Sequence, residues 1–351
     1  MRKNGEVLRA VWIDSVVDSI MNTKEKSSTM AGATIQGIHH ITAIATDPRT
    51  NLDFYARVLG LRLVKKTVNF DDPGAYHFYF ADEAGTPGTV ITFFPWPGAS
   101  RGSRGTGQVQ STAFSVPPGS TNFWLDRLRQ HHVPAEMTAE RFGETVICFP
   151  DPDGLQLELI GSAVIGAGEL WQQGGVPVEA AIRGVHSVSA ALEGYERTAR
   201  LLTELFGYRL VQQEVNRFRF VPNKEGTIGK VDLVCLPDSH PGRVGAGSVH
   251  HIAFRVPDDE AQQQWRIRLV DAGFNVSPVM DRDYFHSIYF REPGGILFEL
   301  ATDTPGFTTD EPLEQLGQKL KLPKRLEPHR AQIERLLPDL FQAASGVRNN
   351  E

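Results

Sequence analysis

Residues 247–256 read GSVHHIAFRV and place two adjacent histidines at the start of an apolar stretch typical of a β-strand. Residues 37–44 read GIHHITAI and repeat the histidine pair in the same local setting. Histidine accounts for only 11 of the 351 residues, so the recurrence of the pair indicates an internal repeat. The two histidine pairs are therefore predicted to occupy equivalent positions in two copies of one folding unit.

Four segments of the chain align on this strand without gaps. Each first strand is followed by a helical pattern and then by strands joined through turns, and LGLRLVKK after the first helix is closely matched by FGYRLVQQ after the third. The first strands read IHHITAIA from Ile38, VQSTAFSV from Val109, VHSVSAAL from Val185 and VHHIAFRV from Val249. We therefore predict an α+β fold built from four β-α-β-β-β modules.

The modules are predicted to cover residues 37–97, 108–162, 183–236 and 247–302, and linkers rich in Gly, Ser, Arg and Pro separate them. Two modules make each domain, so the domains are expected over residues 37–162 and 183–302. Residues 1–36 are predicted to be an N-terminal extension, and residues 303–351 a polar tail with one helix over residues 328–337.

Composition limits the partners of the protein. The formal net charge is -6 and contains no basic block, which argues against nucleic acid or an anionic membrane as the main partner and favours a small molecule. No apolar run reaches the roughly 18 residues of a membrane span. The two cysteines lie singly in strand-like stretches, which fits buried thiols in a reducing cytoplasm. This composition is compatible with a homo-oligomer.

The second histidine of each pair falls at the same position of its module, which gives His40 and His251 as candidate metal ligands. The second and third modules carry Ser111 and Ser187 at that position. In the last strand of the fourth module, ILFEL, Glu299 interrupts an apolar run, and a buried carboxylate needs a partner. A structural role in packing is the competing interpretation for each histidine taken alone.

The number of ligands predicts how the modules pair. If the first and fourth modules share one sheet, His40, His251 and Glu299 meet in one cup, and the second cup holds Ser111, Ser187 and Glu158. Pairing neighbours along the chain would leave no cup with three ligands. The position matching Glu299 in the first module is estimated to be Phe93. We therefore predict that modules one and four pair, and that modules two and three pair.

Two histidines and one carboxylate with open positions form the ligand set of non-haem Fe(II) oxygenases, and Mn(II) suits the same donors. A structural zinc site would be closed and richer in cysteine. Strand alternation places Thr42 on the face of His40, and it places His39 and His250 on the opposite face, from which they could support the ligands. The repeat also turns His77 towards the metal, as an acid–base candidate or as a hydrogen-bonded structural histidine.

Residues 37–302 resemble the vicinal oxygen chelate superfamily, in which paired modules curl into a cup around a metal. Within it, the chain is similar to the hydroquinone-type ring-cleaving dioxygenases in four stretches: IHHITAIATD, VHHIAFRV, YHFYFADEAGTPGT from Tyr76 and PGGILFEL. The resemblance implies that Fe(II) and O2 open the ring of a small aromatic diol. It also implies roles in the pocket for Tyr289 and Arg282 and roles in supporting the ligands for His39 and His250.

Two other functions fit the same fold. A lyase or isomerase of the glyoxalase or epimerase type would typically need two carboxylates beside the metal, and only Glu299 falls into the predicted cup. A metal-free protein that binds an aromatic compound or an antibiotic would not require His40, His251 and Glu299 to converge.

Overall fold

A computed structural model describes residues 34–163, 168–223 and 228–340. The predicted N-terminal extension lies outside the described residues up to position 33. The first and second modules contain β1 (Ile38–Ala45), β2 (Arg62–Val68), β3 (Tyr76–Ala81), β4 (Val90–Pro95), β5 (Gln108–Val116), β6 (Glu136–Met137), β7 (Val146–Pro150) and β8 (Gln156–Gly161). The third and fourth contain β9 (Val185–Leu192), β10 (Arg209–Glu214), β11 (Arg217–Val221), β12 (Lys230–Cys235), β13 (Ser248–Val256), β14 (Met280–Asp281), β15 (Phe285–Arg291) and β16 (Leu297–Pro305).

Each module carries one main helix after its first strand. These helices are α1 (Pro48–Asp53), α2 (Thr121–Gln130), α3 (Glu196–Arg200) and α4 (Asp259–Asp271), and α5 (Arg330–Leu336) follows in the tail. A π-helical turn extends α1 over Phe54–Val58 and α3 over Leu201–Leu205. Short 3₁₀ turns cover Pro118–Ser120, Phe307–Thr309, Leu313–Gln315 and Glu327–His329.

The strands form two eight-stranded mixed sheets. One has the order β14-β15-β16-β13-β1-β4-β3-β2 and the other has the order β10-β11-β12-β9-β5-β8-β7-β6. The first sheet therefore unites modules four and one, and the second unites modules three and two. This confirms the predicted α+β fold and the predicted pairing of modules.

The two sheets repeat one arrangement. In each, the first strands of two modules lie antiparallel at the centre (β1 with β13, β5 with β9), and each central strand pairs in parallel with the last strand of its own module. Both sheets bury their helix-covered faces in one hydrophobic core, which includes Phe54, Phe149, Phe206 and Phe298.

The helical segments that contain α1 and α3 are each closed by a glycine for a conformational reason. Gly60 and Gly207 have φ of +72° and +76°, a left-handed conformation that other residues adopt at a cost. A Cβ atom on Gly60 would also lie 2.5 Å from the side chain of Val176, which lies in the segment between β8 and β9. The repeated glycine therefore ends the helix and allows the next strand to leave it.

The central strand pair of the first sheet contains two bulges. Ile38 pairs with Phe254, and the next pair is His40 with Ala253. Further along, Thr42 pairs with His251, and the next pair is Ala43 with Val249. The residues omitted are His39 and His250, the first histidine of each pair. A bulge re-aims side chains relative to strict alternation, so it determines how these histidines are directed.

The tail begins later than predicted and lies against the first module. Strand β16 continues to Pro305, beyond the predicted boundary at residue 302. Helix α5 falls within the predicted 328–337 segment, and Leu322, Ile333 and Leu337 join the main core. Across residues 34–163, 168–223 and 228–340, no helix is both long enough and apolar enough to cross a membrane.

Candidate metal centre

Three side chains converge on one point at the centre of the first sheet. The Nε2 atoms of His40 and His251 lie 3.4 Å apart, and the Oε2 atom of Glu299 lies 3.5 Å from the first and 2.8 Å from the second. Metal–ligand bonds of about 2.1 Å at right angles place neighbouring ligand atoms about 3 Å apart. The three atoms therefore have the spacing of ligands on one face of a single ion.

The sheet topology explains this convergence. His40 on β1 and His251 on β13 lie on adjacent antiparallel strands, and Glu299 on β16 pairs with Ala253 of β13. The ends of the folded chain thus meet, and side chains more than two hundred residues apart face the same point. Across residues 34–163, 168–223 and 228–340, this is the group of three or more His, Cys, Asp or Glu side chains that could hold a metal ion.

The first histidine of each pair contacts the ligand histidine directly. The Nδ1 atoms of His39 and His40 are 2.9 Å apart, and those of His250 and His251 are 2.8 Å apart. A hydrogen bond donated by the Nδ1–H of a ligand histidine to its neighbour leaves the Nε2 lone pair of the ligand free to face an ion.

Strand alternation predicted that His250 points to the face opposite the ligands, and this prediction was wrong. The bulges turn both first histidines edge-on to their neighbours, so His250 borders the cavity in front of the triad. His39 does lie on the other side, where it lines a separate pocket of about 210 Å³. The sequence contained no signal for the bulges, because bulged residues have no distinctive side-chain pattern.

Glu299 has the surroundings of a metal ligand. Its side chain is fully buried, and Ser287 Oγ donates a hydrogen bond to Oε1 at 2.5 Å. Among the described residues Oε2 is left without a hydrogen-bond partner, and the nearest polar atom on another ligand is His251 Nε2 at 2.8 Å. Such an arrangement leaves a buried anionic oxygen that a cation would satisfy.

The protonation states also suit metal binding. Burial opposes ionisation of Glu299, but the imidazoles of His40 and His251 overcome it and hold the pKa of the carboxyl well below its ordinary value. Burial lowers the pKa of His251. A neutral imidazole beside an ionised carboxylate is the state in which both can coordinate a metal.

A cavity of about 340 Å³ opens onto the triad. Its volume lies at the lower end of the roughly 300–1,000 Å³ range of small-molecule pockets. Seven aromatic and six polar side chains form most of the wall. The aromatic residues are Phe70, His77, Tyr79, Phe94, Trp96, Phe285 and Tyr289, and the polar ones are Thr42, Asn69, Asp71, Asp72, His250 and Arg282.

Tyr289 and Arg282 line this cavity together. The guanidinium Nε of Arg282 donates to the Tyr289 hydroxyl at 3.3 Å, and the Tyr289 ring lies 5.7 Å from the His251 ring. Burial raises the pKa of Tyr289, so its hydroxyl remains protonated at neutral pH. Arg282 also lies 3.4 Å from the exposed carboxylate of Asp71, a contact that contributes little by itself.

Both ring nitrogens of His77 have partners. Nδ1 lies 2.9 Å from the Tyr79 hydroxyl, and Nε2 lies 2.8 Å from Thr92 Oγ1, which in turn lies 3.0 Å from Thr42 Oγ1. Burial lowers the pKa of His77 well below its ordinary value, so the ring is neutral. His77 therefore faces the cavity as part of a hydrogen-bonded chain of four side chains.

Thr92 was missed by sequence reasoning, which placed Phe93 at the position matching Glu299. Tyr79 pairs with Thr92 as Tyr289 pairs with Glu299, so Thr92 is the true equivalent. Phe93 points to the hydrophobic core, because a shift of one residue along a strand moves the side chain to the other face. The strand register identifies the equivalent position. Glu299 pairs with Ala253, two residues after His251, and Thr92 pairs with Thr42, two residues after His40.

The second cup contains ion pairs in place of a metal centre. Ser111, Ser187 and Glu158 occupy the predicted positions, and Glu158 forms hydrogen bonds of 2.6 and 3.1 Å with Arg141. In the third module the position equivalent to Glu299 is occupied by Asp232, which pairs with Ser189 just as Glu299 pairs with Ala253. Arg219 binds Asp232 through two hydrogen bonds of 2.8 and 2.9 Å.

The fold and the centre define a protein whose ligand site lies in a cup formed by paired β-α-β-β-β modules. The model of the Glyoxalase/Bleomycin resistance protein/Dioxygenase superfamily matches residues 37–159 and 184–300. The chain therefore belongs to this superfamily, which confirms the resemblance drawn from the sequence motifs.

Relatives in this family carry dioxygenase names. The chain is 50% identical over 303 residues to MhqO of Bacillus subtilis (strain 168), named as a candidate ring-cleaving dioxygenase, covering 86% of this chain and 96% of MhqO. It is 35% identical to the chlorohydroquinone/hydroquinone 1,2-dioxygenase of Sphingobium indicum, covering 87% of this chain and 97% of that enzyme. The crystal structure of a candidate dioxygenase from Bacillus subtilis superposes with a TM-score of 0.84 at 47% identity, covering 89% of this chain and 100% of the other.

Proposed function

We propose that this protein is an Fe(II)-dependent dioxygenase that uses O2 to open the ring of a hydroquinone or a related aromatic diol. The convergence of His40, His251 and Glu299 beneath an aromatic cavity carries the proposal. Relatives named as ring-cleaving and hydroquinone dioxygenases over nearly their whole length support it. Mn(II) also suits two nitrogens and one carboxylate oxygen.

In this proposal the triad holds the ion and leaves its cavity side open. The ion would supply a Lewis acid that lowers the pKa of a phenolic hydroxyl and a place where diol and O2 react side by side. His39 and His250 orient the two ligand imidazoles through their Nδ1 atoms. Phe94 and Trp96 would pack on the ring of the diol and exclude water.

Three side chains around the cavity would manage charge and protons. Tyr289 accepts a hydrogen bond from Arg282, so its own O–H can donate to an oxygen of the substrate. Arg282 would balance the negative charge of a bound phenolate and of an acidic ring-opened product. His77 is neutral and would accept a hydroxyl proton by exchanging its hydrogen bond to Thr92 for one to the diol.

The two other candidate functions fit the centre less well. A glyoxalase or epimerase site would need a second carboxylate, and Thr92 occupies the position equivalent to Glu299. A metal-free binding protein would bury Glu299 with one oxygen unsatisfied, at a cost of several kcal/mol with no return.

The test is anaerobic reconstitution with Fe(II), followed by O2 uptake and ultraviolet spectra with hydroquinone, methylhydroquinone and catechol. We expect uptake with at least one diol, and loss of both bound iron and uptake in His251→Ala. His240→Ala, a substitution of an exposed histidine, is the matched control and should retain both. Absence of uptake with every diol by the iron-loaded protein would overturn the proposed activity.

A further inference from the structure

The C-terminal tail joins the two modules of the metal cup. The tail continues from β16 of the fourth module, yet its polar contacts are mainly with the first module. Backbone groups of the tail accept hydrogen bonds from Arg62 (to Leu313) and Tyr76 (to Pro338), and Lys321 donates its backbone N–H to the carbonyl of Lys66. The tail is therefore placed to influence side chains that face the cup.

A buried lysine forms the centre of this connection. The side chain of Lys65 on β2 is fully buried, and its ammonium lies 2.5 Å from a carboxylate oxygen of Asp310 and 2.5 Å from one of Glu311. The ammonium also lies 4.8 Å from the centre of the Tyr284 ring. A buried ammonium requires such partners, so these contacts tie the tail firmly to the first module.

Tyr284 extends the cluster to the fourth module. Its hydroxyl donates to Asp310 Oδ2 at 3.2 Å, and its backbone carbonyl accepts a hydrogen bond of 2.8 Å from Gly306 in the tail. Its ring packs against Phe307 of the tail at 5.3 Å between centroids. The tail thus holds Tyr284 through its hydroxyl, its ring and its backbone.

Tyr284 belongs to the tight turn that carries Arg282 into the cavity. The backbone N–H of Tyr284 donates to the Arg282 carbonyl at 2.8 Å, and the N–H of Arg282 donates to the carbonyl of Phe285 at 3.0 Å. Asp283, between them, has a left-handed φ of +63°. The Arg282 side chain itself has a long hydrogen bond to the Tyr289 hydroxyl, a cation–π contact with the Tyr289 ring at 5.5 Å and a weak contact with Asp71. These side-chain contacts are weak, so the turn is the main constraint on its position.

We infer that Lys65, Asp310 and Tyr284 form a positioning cluster that holds Arg282 over the metal centre. The inference rests on the proposed function, in which Arg282 balances the charge of the bound diol. None of the three cluster residues lines the cavity with the triad, so they act on the reaction through the turn.

The test uses Tyr284→Phe and Asp310→Asn, which remove one hydrogen bond or one charge each while keeping the side-chain shape. Loss of one such bond corresponds to a fall in kcat/KM for the diol of roughly 2- to 10-fold, with bound iron unchanged. The effect should disappear when Arg282→Met is already present, because the cluster acts through that residue. The matched control is Tyr208→Phe: the Tyr208 hydroxyl donates to the Gly229 carbonyl at 3.1 Å, and these two residues immediately precede β10 and β12 of the second sheet.

A crystal structure of Tyr284→Phe provides a readout that does not depend on activity. We expect the Arg282 guanidinium to leave the Tyr289 hydroxyl, with the Nε–Oη distance rising above about 4 Å. An unchanged Arg282, or an equal loss of activity with and without Arg282→Met, would overturn the inference. If no diol is oxidised by the unmodified protein, the proposed function fails, but the displacement of Arg282 still decides whether the cluster positions it.

Discussion

Replacing Ser287 by alanine should weaken metal binding without removing any metal ligand. Ser287 Oγ donates a 2.5 Å hydrogen bond to Glu299 Oε1, and both side chains are fully buried. A hydrogen bond to a charged group contributes roughly 1.5–3 kcal/mol, which corresponds to roughly a 10- to 100-fold change in affinity. Removal of outer hydrogen-bond partners of metal ligands typically has an effect of about this size.

The measurement is an anaerobic Fe(II) titration against a competing chelator. Ser287→Thr, which keeps the hydroxyl, should restore most of the affinity. Ser189→Ala is the matched control, because Ser189 is a buried serine that accepts a hydrogen bond from Arg217 in the second cup. If Ser287→Ala and Ser189→Ala bind Fe(II) equally well, Glu299 is not held for the metal by Ser287 and the reasoning is refuted.

Three further predictions follow from buried polar groups. Thr92→Val removes the hydrogen bond to His77 and should lower kcat by roughly 10-fold with bound iron unchanged; unaltered kcat would exclude His77 and Thr92 from proton transfer. Arg141→Met leaves Glu158 buried without its partner and should lower the free energy of unfolding by roughly 3 kcal/mol in urea, while Fe(II) affinity stays the same. Burial raises the pKa of Asp151 to about 6, so its contribution to stability falls as pH rises from about 4 to 6; Asp151→Asn should gain up to about 3 kcal/mol relative to the unmodified protein between pH 4 and 7, and a constant difference across that range would contradict this.

The module pairing could be predicted because it depends on few facts. Two histidine pairs in equivalent strands and one glutamate in an apolar strand leave a single pairing that gathers three ligands. The repeated glycines after α1 and α3 supported the repeat independently, since both adopt left-handed φ values. The requirement that three ligands meet at one point therefore predicted which distant modules pair, and local secondary-structure propensity does not contain that information.

The orientation of individual side chains was harder to predict from the sequence than the module pairing. His250 borders the cavity because a bulge interrupts β13, and no residue type marks that bulge in the sequence. Thr92 was missed because the register of β4 against β1 depends on the length of the turn before it, and an error of one residue exchanges the core face for the cup face. The contacts between the tail and Tyr284 could not be predicted, because they depend on residues far apart in sequence, such as Lys65 and Asp310.

The two cups together explain why only one of them is suited to a metal. Each module has one position equivalent to that of Glu299, and three of these four positions carry buried carboxylates: Glu299, Glu158 and Asp232. Both carboxylates in the second cup have a guanidinium partner, which is Arg141 for Glu158 and Arg219 for Asp232. Among the described residues, no Lys or Arg forms an ion pair with Glu299, whose nearest charged or chargeable neighbours are the imidazoles of His40 and His251. Because no lysine or arginine among the described residues compensates Glu299, the first cup is suited to a cation from outside the chain, whereas in the second cup arginine side chains already supply the positive charge.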